Sequence, residues 1–171
     1  MAIPKLTLDT NVLTEYWKRR EKWEIVENLL ELAKLGKVDM AVTRRIRQDI
    51  PKPELSNRLN DLPELQIAET GSIVRYDGTW LLDGREMFGD NIFSDFLPTA
   101  QRLAKQRLAK GHGKPPDERD WDHLHAHYLL QRDVFLTWDG GINCLSKELK
   151  DNFGINVSRP DEYLQTFNST N

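Results

Sequence analysis

Apolar positions along the 171-residue chain switch repeatedly between short β-rich runs and a spacing of three to four. That is the signature of strands alternating with helices. "KLTLD" (5–9) is a β-rich run that ends in an acid. In the stretch that follows, 11–36, Tyr16, Trp23, Val26, Leu30 and Ala33 share one helical face, and Gly36 suits a helix stop. "VDMAVT" (38–43) reads as a second strand and "RRIRQDI" (44–50) as a short helix ended by Pro51 and Pro53. Residues 54–97 carry scattered apolar positions, two Asp-Gly pairs and Trp80, and read as irregular structure or a small hairpin. A helix is expected from Pro98 to about Lys110, with Leu97, Ala100, Ala104 and Leu108 on one side, then a loop at 111–116. A further helix runs from about Asp120 to Arg132, and "VFLTW" (134–138) is a strand. "INCLSKELKDNFG" (142–154) is a helix closed by Gly154, "INV" (155–157) a last strand, and "PDEYLQTF" (160–167) a last helix. Strands and helices in this alternation predict an α/β fold with a parallel sheet covered on both faces.

Composition adds little to that picture and excludes some classes. The chain is 39% hydrophobic and 30% charged, with no apolar run of membrane-spanning length and no signal-peptide layout at its start. A soluble, cytoplasmic protein without a membrane partner is expected. The single cysteine, Cys144, rules out an internal disulfide and is expected to be a small buried hydrophobe. Net charge is −3, yet cations cluster in "KRREK" (18–22), "RRIR" (44–47) and "RLAKQRLAKGHGK" (102–114). Such clusters are either solvated helix faces or a phosphate-facing surface.

The acids carry the chemistry. Ligands of open α/β sheets bind beyond the carboxyl ends of the strands. Asp9 ends the first strand, Asp139 follows "VFLTW", Asp122 opens the helix before it, and Asp49 sits six residues after Thr43. Each alone reads as a helix cap or a surface acid. Gathered by a parallel sheet, the four would repel one another unless a hard divalent cation sat among them. The suggested chemistry is metal-assisted phosphodiester hydrolysis. Asp120 is a second candidate for the third acid, on nearly the opposite side of a helix from Asp122.

Three histidines lie beside these acids. On a helix, His123 and His127 share a face and His125 points away, so the three cannot ligate one ion. On a strand all three would face one side, and zinc would enter consideration. The helical reading gives them structural or surface roles, with His125, three residues from Asp122, placed to approach the acids.

"LTLDTNVL" (6–13), "DHLHAHYLLQRDVFLTWD" (122–139) and the tail "INVSRPDEYL" (155–164) together resemble the PIN-domain nucleases. The resemblance covers the chain ends and most of the middle, but not residues 54–97. It implies one PIN-like domain over 1–171 with an inserted or capping segment at 54–97. It further implies Asp9 as first metal ligand supported by Asn11, Thr43 and Asp49 as the second element, Asp122 as third acid and Asp139 as fourth. Two departures stand out. Asp49 occupies a position where the family usually has Glu, and His125 and His127 stand where small or aliphatic residues are common. Spacing to "LTWD" favours Asp122 over Asp120.

The expected activity is therefore a Mg²⁺- or Mn²⁺-dependent ribonuclease acting on single-stranded RNA. Thr10, Asn11 and Thr137 are expected to support the ligands or a water. Arg44, Arg45, Arg102 and Lys105 are candidate contacts to the RNA backbone, and Trp80 and Trp138 candidate stacking surfaces. Many members of the family are toxins silenced by a small antitoxin protein. An antitoxin and a second copy of the chain are accordingly candidate partners. Two alternatives stay open. One is a catalytically degenerate module on the same fold that binds RNA or protein. The other is a phosphatase of the haloacid-dehalogenase type, which also opens on a strand-terminal Asp but has Asp where this chain has Asn11.

Overall fold

The computed structural model describes residues 2–50, 52–68, 73–74, 80–81, 96–109 and 116–170. The loop at 111–115 and the Asp-Gly pairs at 77–78 and 83–84 lie outside the described residues. Five parallel strands form the main sheet in the order β3-β2-β1-β6-β7. They are β1 (Lys5–Leu8), β2 (Asp39–Thr43), β3 (Leu65–Ala68), β6 (Val134–Leu136) and β7 (Asn156–Ser158). In the central register Leu6 pairs with Met40 on one side and Val134 on the other.

Strand alternation sends neighbouring side chains to opposite faces of the sheet. Leu6, Leu8, Met40, Val42 and Leu136 enter one buried cluster. It is closed by α1 (Thr10–Trp17), α2 (Trp23–Lys34) and α9 (Pro160–Thr170) through Val12, Leu13, Val26, Leu29 and the partly buried Tyr163 and Phe167. Phe135 points the other way, into a cluster with Phe96 and Ala100 of α5 (Phe96–Ala109), Trp121 and Leu124 of α6 (Glu118–Leu129), and Leu149 of α8 (Ser146–Phe153). The α/β expectation, a parallel sheet between two helical layers, therefore holds.

Several boundaries differ from the sequence reading, each for a local reason. The helical stretch expected over 11–36 divides into α1 and α2 at residues 18–22. "KRREK" offers no apolar side chain to bury, and Arg19 turns the chain with φ of 46°. The short helix does end ahead of Pro51, with Ile50 extended as the residue before a proline should be, but helical structure resumes soon after. The four-residue α3 (Ile46–Asp49) stops before both prolines, and α4 (Lys52–Asn60) restarts with Pro53 in its first turn, where a missing N–H costs nothing. The helix expected over 142–154 is two pieces, α7 (Gly140–Asn143) and α8. Gly154 does close α8, with φ of 71°. Within 54–97 the chain adds the edge strand β3 and a two-residue antiparallel pair, β4 (Ile73–Val74) and β5 (Trp80–Leu81). Cys144 is exposed at the end of α7 rather than buried. No helix among the described residues is long and apolar enough to cross a membrane.

Candidate active site

β1 and β6 are neighbours, but the chain leaves them for opposite halves of the sheet, β1 toward β2 and β6 toward β7. That divergence opens a crevice at their carboxyl ends, where α/β sheets bind ligands. Asp9 follows β1, Asp139 lies just past β6, Asp49 ends α3 and Asp120 sits in the first turn of α6. All four carboxylates line one cleft of about 420 Å³, with Thr10, Asn11 and His123 beside them and Arg20 and Arg119 at its edge.

Asp9 occupies the cap position of α1 but makes no side-chain cap bond. Its Oδ2 instead accepts from Asn11 Nδ2 at 2.7 Å and from Thr137 Oγ1 at 2.6 Å. Asn11 and Thr137, both expected near the ligands, thus bond Asp9 directly. Burial pushes the Asp9 carboxyl above its ordinary pKa; His123 and the Thr137 bond work against this, and the Asp139 charge adds to it. Asp139 does cap, taking the Ile142 N–H on Oδ1 at 2.9 Å.

Asp49 is held from three sides. Thr10 Oγ1 donates to it at 2.9 Å, His123 Nε2 at 2.9 Å, and Arg45 Nε at 3.3 Å. Burial alone would raise its pKa, but His123, Thr10 and Arg45 together bring it below the ordinary value. Its negative charge is therefore compensated from within the protein.

The third acid in the cleft is Asp120, not Asp122. Two positions on a helix differ by about 200°, so only one of the pair faces the crevice. Asp122 points inward, 1% exposed, and Arg45 Nη1 donates to its Oδ2 at 2.8 Å. Asp120 faces Asp9 and Asp139, and its pKa is pushed up to about 7. Burial is the main cause; the Asp117 N–H bond opposes it, while the charges of Asp117, Asp9 and Asp139 add to it. Asp120 also has a structural task. It completes a capping box with Asp117, accepting the Asp117 N–H at 2.7 Å.

The histidines divide as a helix requires, but His123 rather than His125 meets the acids. His123 bonds Asp49 through Nε2, and its Nδ1 lies 2.6 Å from Thr43 Oγ1. Burial disfavours its charge, but Asp49 and Asp9 outweigh that and raise its pKa. His125 faces away and stacks on Phe96 with ring centroids 4.7 Å apart. The expected approach of His125 to the acids is not found, because it shares a helix with Asp120 but lies on its far side. His127 faces the sheet, its Nδ1 2.8 Å from Thr7 Oγ1.

Burial, reinforced by the Arg132 charge, lowers the His127 pKa to about 4. The native state thus holds His127 neutral while the unfolded chain protonates near 6.5. Stability from this group is complete above about pH 6.5 and is lost as pH falls toward 4, with a change of about 3 kcal/mol. Denaturant melts of His127→Gln and wild type should show the difference between them narrowing by about that amount across this window. A constant difference would refute the assignment.

The basic candidates fare unevenly. Arg44 and Arg45 are 1% and 4% exposed and so cannot reach a backbone phosphate outside the core. Arg102 and Lys105 are exposed on α5, where Arg102 Nη2 bonds Asn152 Oδ1, and neither lines the cleft. The arginines at the cleft are Arg20 and Arg119. Arg20 belongs to the charged run at 18–22. Arg119 had no sequence signal, since it stands among acids in "DERD" and is placed only by the capping geometry of α6.

A hard divalent cation suits this donor set in chemistry, because the lining acids offer carboxylate oxygens and the pKa values of the buried Asp9 and half-buried Asp120 are raised, Asp9 despite the opposing charge of His123. As the side chains stand, no three His, Cys, Asp or Glu among the described residues are grouped tightly enough to hold an ion. Asp120 and Asp139 each commit one oxygen to a helix N-terminus, which leaves the other oxygen of each for a ligand. The zinc arrangement fails, since His123 and His127 each bond a sheet threonine and His125 points elsewhere.

Fold and cleft together define an α/β protein with an acidic crevice where the strand order of its parallel sheet reverses. No protein-family model matches the chain, and no curated protein sequence matches it.

Proposed function

We propose that this protein is a divalent-metal-dependent ribonuclease. One observation carries the reading: Asp9, Asp49, Asp120 and Asp139, far apart in sequence, line one cleft at the β1–β6 crevice. The fold is compatible with that of the PIN-domain nucleases, which the sequence resembles. Mg²⁺ or Mn²⁺ bound there would supply the Lewis acidity that activates water and screens the charge developing on phosphorus. Asp9, Asp120 and Asp139 are the residues to hold it. Asn11 and Thr137 fix the rotamer of Asp9, and Thr10, His123 and Arg45 hold Asp49 at the cleft wall. Arg20 and Arg119 flank the acids and grip the phosphates of the strand.

Labelled single-stranded RNA incubated with purified protein tests this. Cleavage should require Mn²⁺ or Mg²⁺ and stop in excess EDTA. Cleavage that persists in EDTA would overturn the proposal.

A second reading is a degenerate module that binds RNA without cutting it. The compensation of Asp49 by Arg45 and His123 favours it. Calorimetry with Mn²⁺ separates the two, because absence of binding would leave only the module. An antitoxin and a second copy of the chain remain proposed partners, for which size-exclusion chromatography of the protein, alone and co-expressed with its genetic neighbour, is the test.

A further inference from the structure

The turn between α1 and α2 forms a second cavity, of about 600 Å³, lined by Glu15, Arg19, Arg20, Glu21, Lys22 and Trp138. Glu15 and Arg20 also line the acid cleft, so the two hollows adjoin. Trp138 directly precedes Asp139 in sequence. Its indole Nε1 donates to Asp161 Oδ1 at 2.9 Å, which holds the ring in place. The Lys22 ammonium lies 5.0 Å from the ring centroid.

The turn itself is built in an unusual way. Arg19 N–H bonds the Tyr16 carbonyl and Arg20 N–H the Glu15 carbonyl, the two bonds of a Schellman ending. The left-handed position of that motif normally takes glycine, yet here it is Arg19, with φ of 46°. A non-glycine residue there costs on the order of 1 kcal/mol. The side chain this retains lies over Trp23 at 4.1 Å and over Tyr16 at 5.2 Å. Arg19 also makes a solvent-exposed pair with Glu27 at 3.7 Å, and the exposed Arg20 pairs at 3.5 Å with the partly buried Glu15. An exposed pair of the first kind is weak.

The geometry points to a nucleotide subsite at this turn, which takes one unpaired base and its phosphate from the strand that crosses the acid cleft. The inference rests on the ribonuclease reading for the identity of the strand. The base stacks on the Trp138 indole in place of the Lys22 ammonium, which moves to the adjoining phosphate with Arg20. A fixed indole beside flexible cations is what sequence-tolerant single-strand binding needs. The cavity volume is within the about 300–1,000 Å³ of small-ligand sites. A paired base cannot enter, because its face is already stacked.

The test measures binding alone. A fluorescein-labelled oligouridylate decamer is titrated with protein in EDTA, read by anisotropy at several salt concentrations. Trp138→Leu should weaken binding about tenfold, with Trp138→Phe restoring most of the loss. Lys22→Gln, on an exposed turn that tolerates it, should lower the slope of log Kd against log salt by about 0.7. Wild-type affinity in Trp138→Leu, or an unchanged slope in Lys22→Gln, would overturn the subsite. So would equal loss of affinity for a blunt RNA duplex. Cleavage in Mn²⁺ is scored separately: binding as expected without cleavage sinks the hydrolytic reading and leaves the subsite, and the reverse sinks the subsite alone.

Discussion

Asp120→Asn is expected to lower Mn²⁺-dependent RNA cleavage by about 100-fold or more while leaving the metal-free protein at least as stable as wild type. Loss of groups that merely orient a ligand already costs about 10- to 100-fold, so loss of a ligand costs more. The stability half follows from the raised pKa. A carboxyl that titrates near 7 when folded and near its ordinary value when unfolded is a liability at high pH. The folded state binds the extra proton between those values, so stability declines as pH rises toward 7 and the penalty is complete above it. Asparagine keeps the acceptor that receives the Asp117 N–H and removes the charge that Asp9 and Asp139 oppose. At pH 8 in EDTA the gain should be on the order of 2 kcal/mol, after allowance for the solvent at the cleft rim. Added Mn²⁺ should raise the melting temperature of wild type and not of the variant. Full cleavage activity in Asp120→Asn would remove Asp120 from the site.

Asp122→Asn should do the opposite. Its carboxylate faces Arg45 inside the protein, and Arg45 also reaches Asp49. Removing one partner of a buried pair is costly, but Arg45 keeps its pair with Asp49, so the loss is expected at the lower end, about 3 kcal/mol. For a chain of this size that is a drop of roughly 10 °C in melting temperature. Residual activity at low temperature should survive in the fraction that stays folded. A variant that melts like wild type but cannot cleave would reverse the roles of the two acids. Thermal melts and cleavage assays on the two single variants therefore decide between neighbours two residues apart.

The alternation of strands and helices was legible because the central strands are short β-rich runs, Met40–Val42 in β2 and Val134–Leu136 in β6 unbroken and Leu6 and Leu8 alternating in β1, and because α2, α5 and α6 carry clear helical faces. The edge strand β3 was not. Leu65 and Ile67 alternate over only four residues, too few to separate from a loop. The positions of Asp9 and Asp139 were legible because strand ends fix them. The choice at α6 was not. Motif spacing favoured Asp122, but the helix rotates relative to the sheet by an amount that spacing does not encode. The buried arginine set that rotation: Arg45 demands an internal carboxylate, and Asp122 supplies it. Arg44 and Arg45 misled for the same reason, since a basic run at a strand end reads as surface. His123 was passed over because His125, three residues after Asp122, shares a helical face with that acid, whereas the acid that faces the cleft is Asp120, three residues before His123.

The two His–Thr contacts beneath α6 have a mechanical consequence. His123 meets Thr43 on β2, and His127, one turn later, meets Thr7 on β1. Two anchors on one helix, attached to two adjacent strands, fix both the axial position and the roll of the helix. A slide by one turn, about 5.4 Å, or a roll by one residue would break both at once. The helix therefore has a single seating on the sheet, and its first turn inherits that seating. The two histidines thus act as a dowel: they index the carboxylate of Asp120 against Asp9 from as far as two turns away.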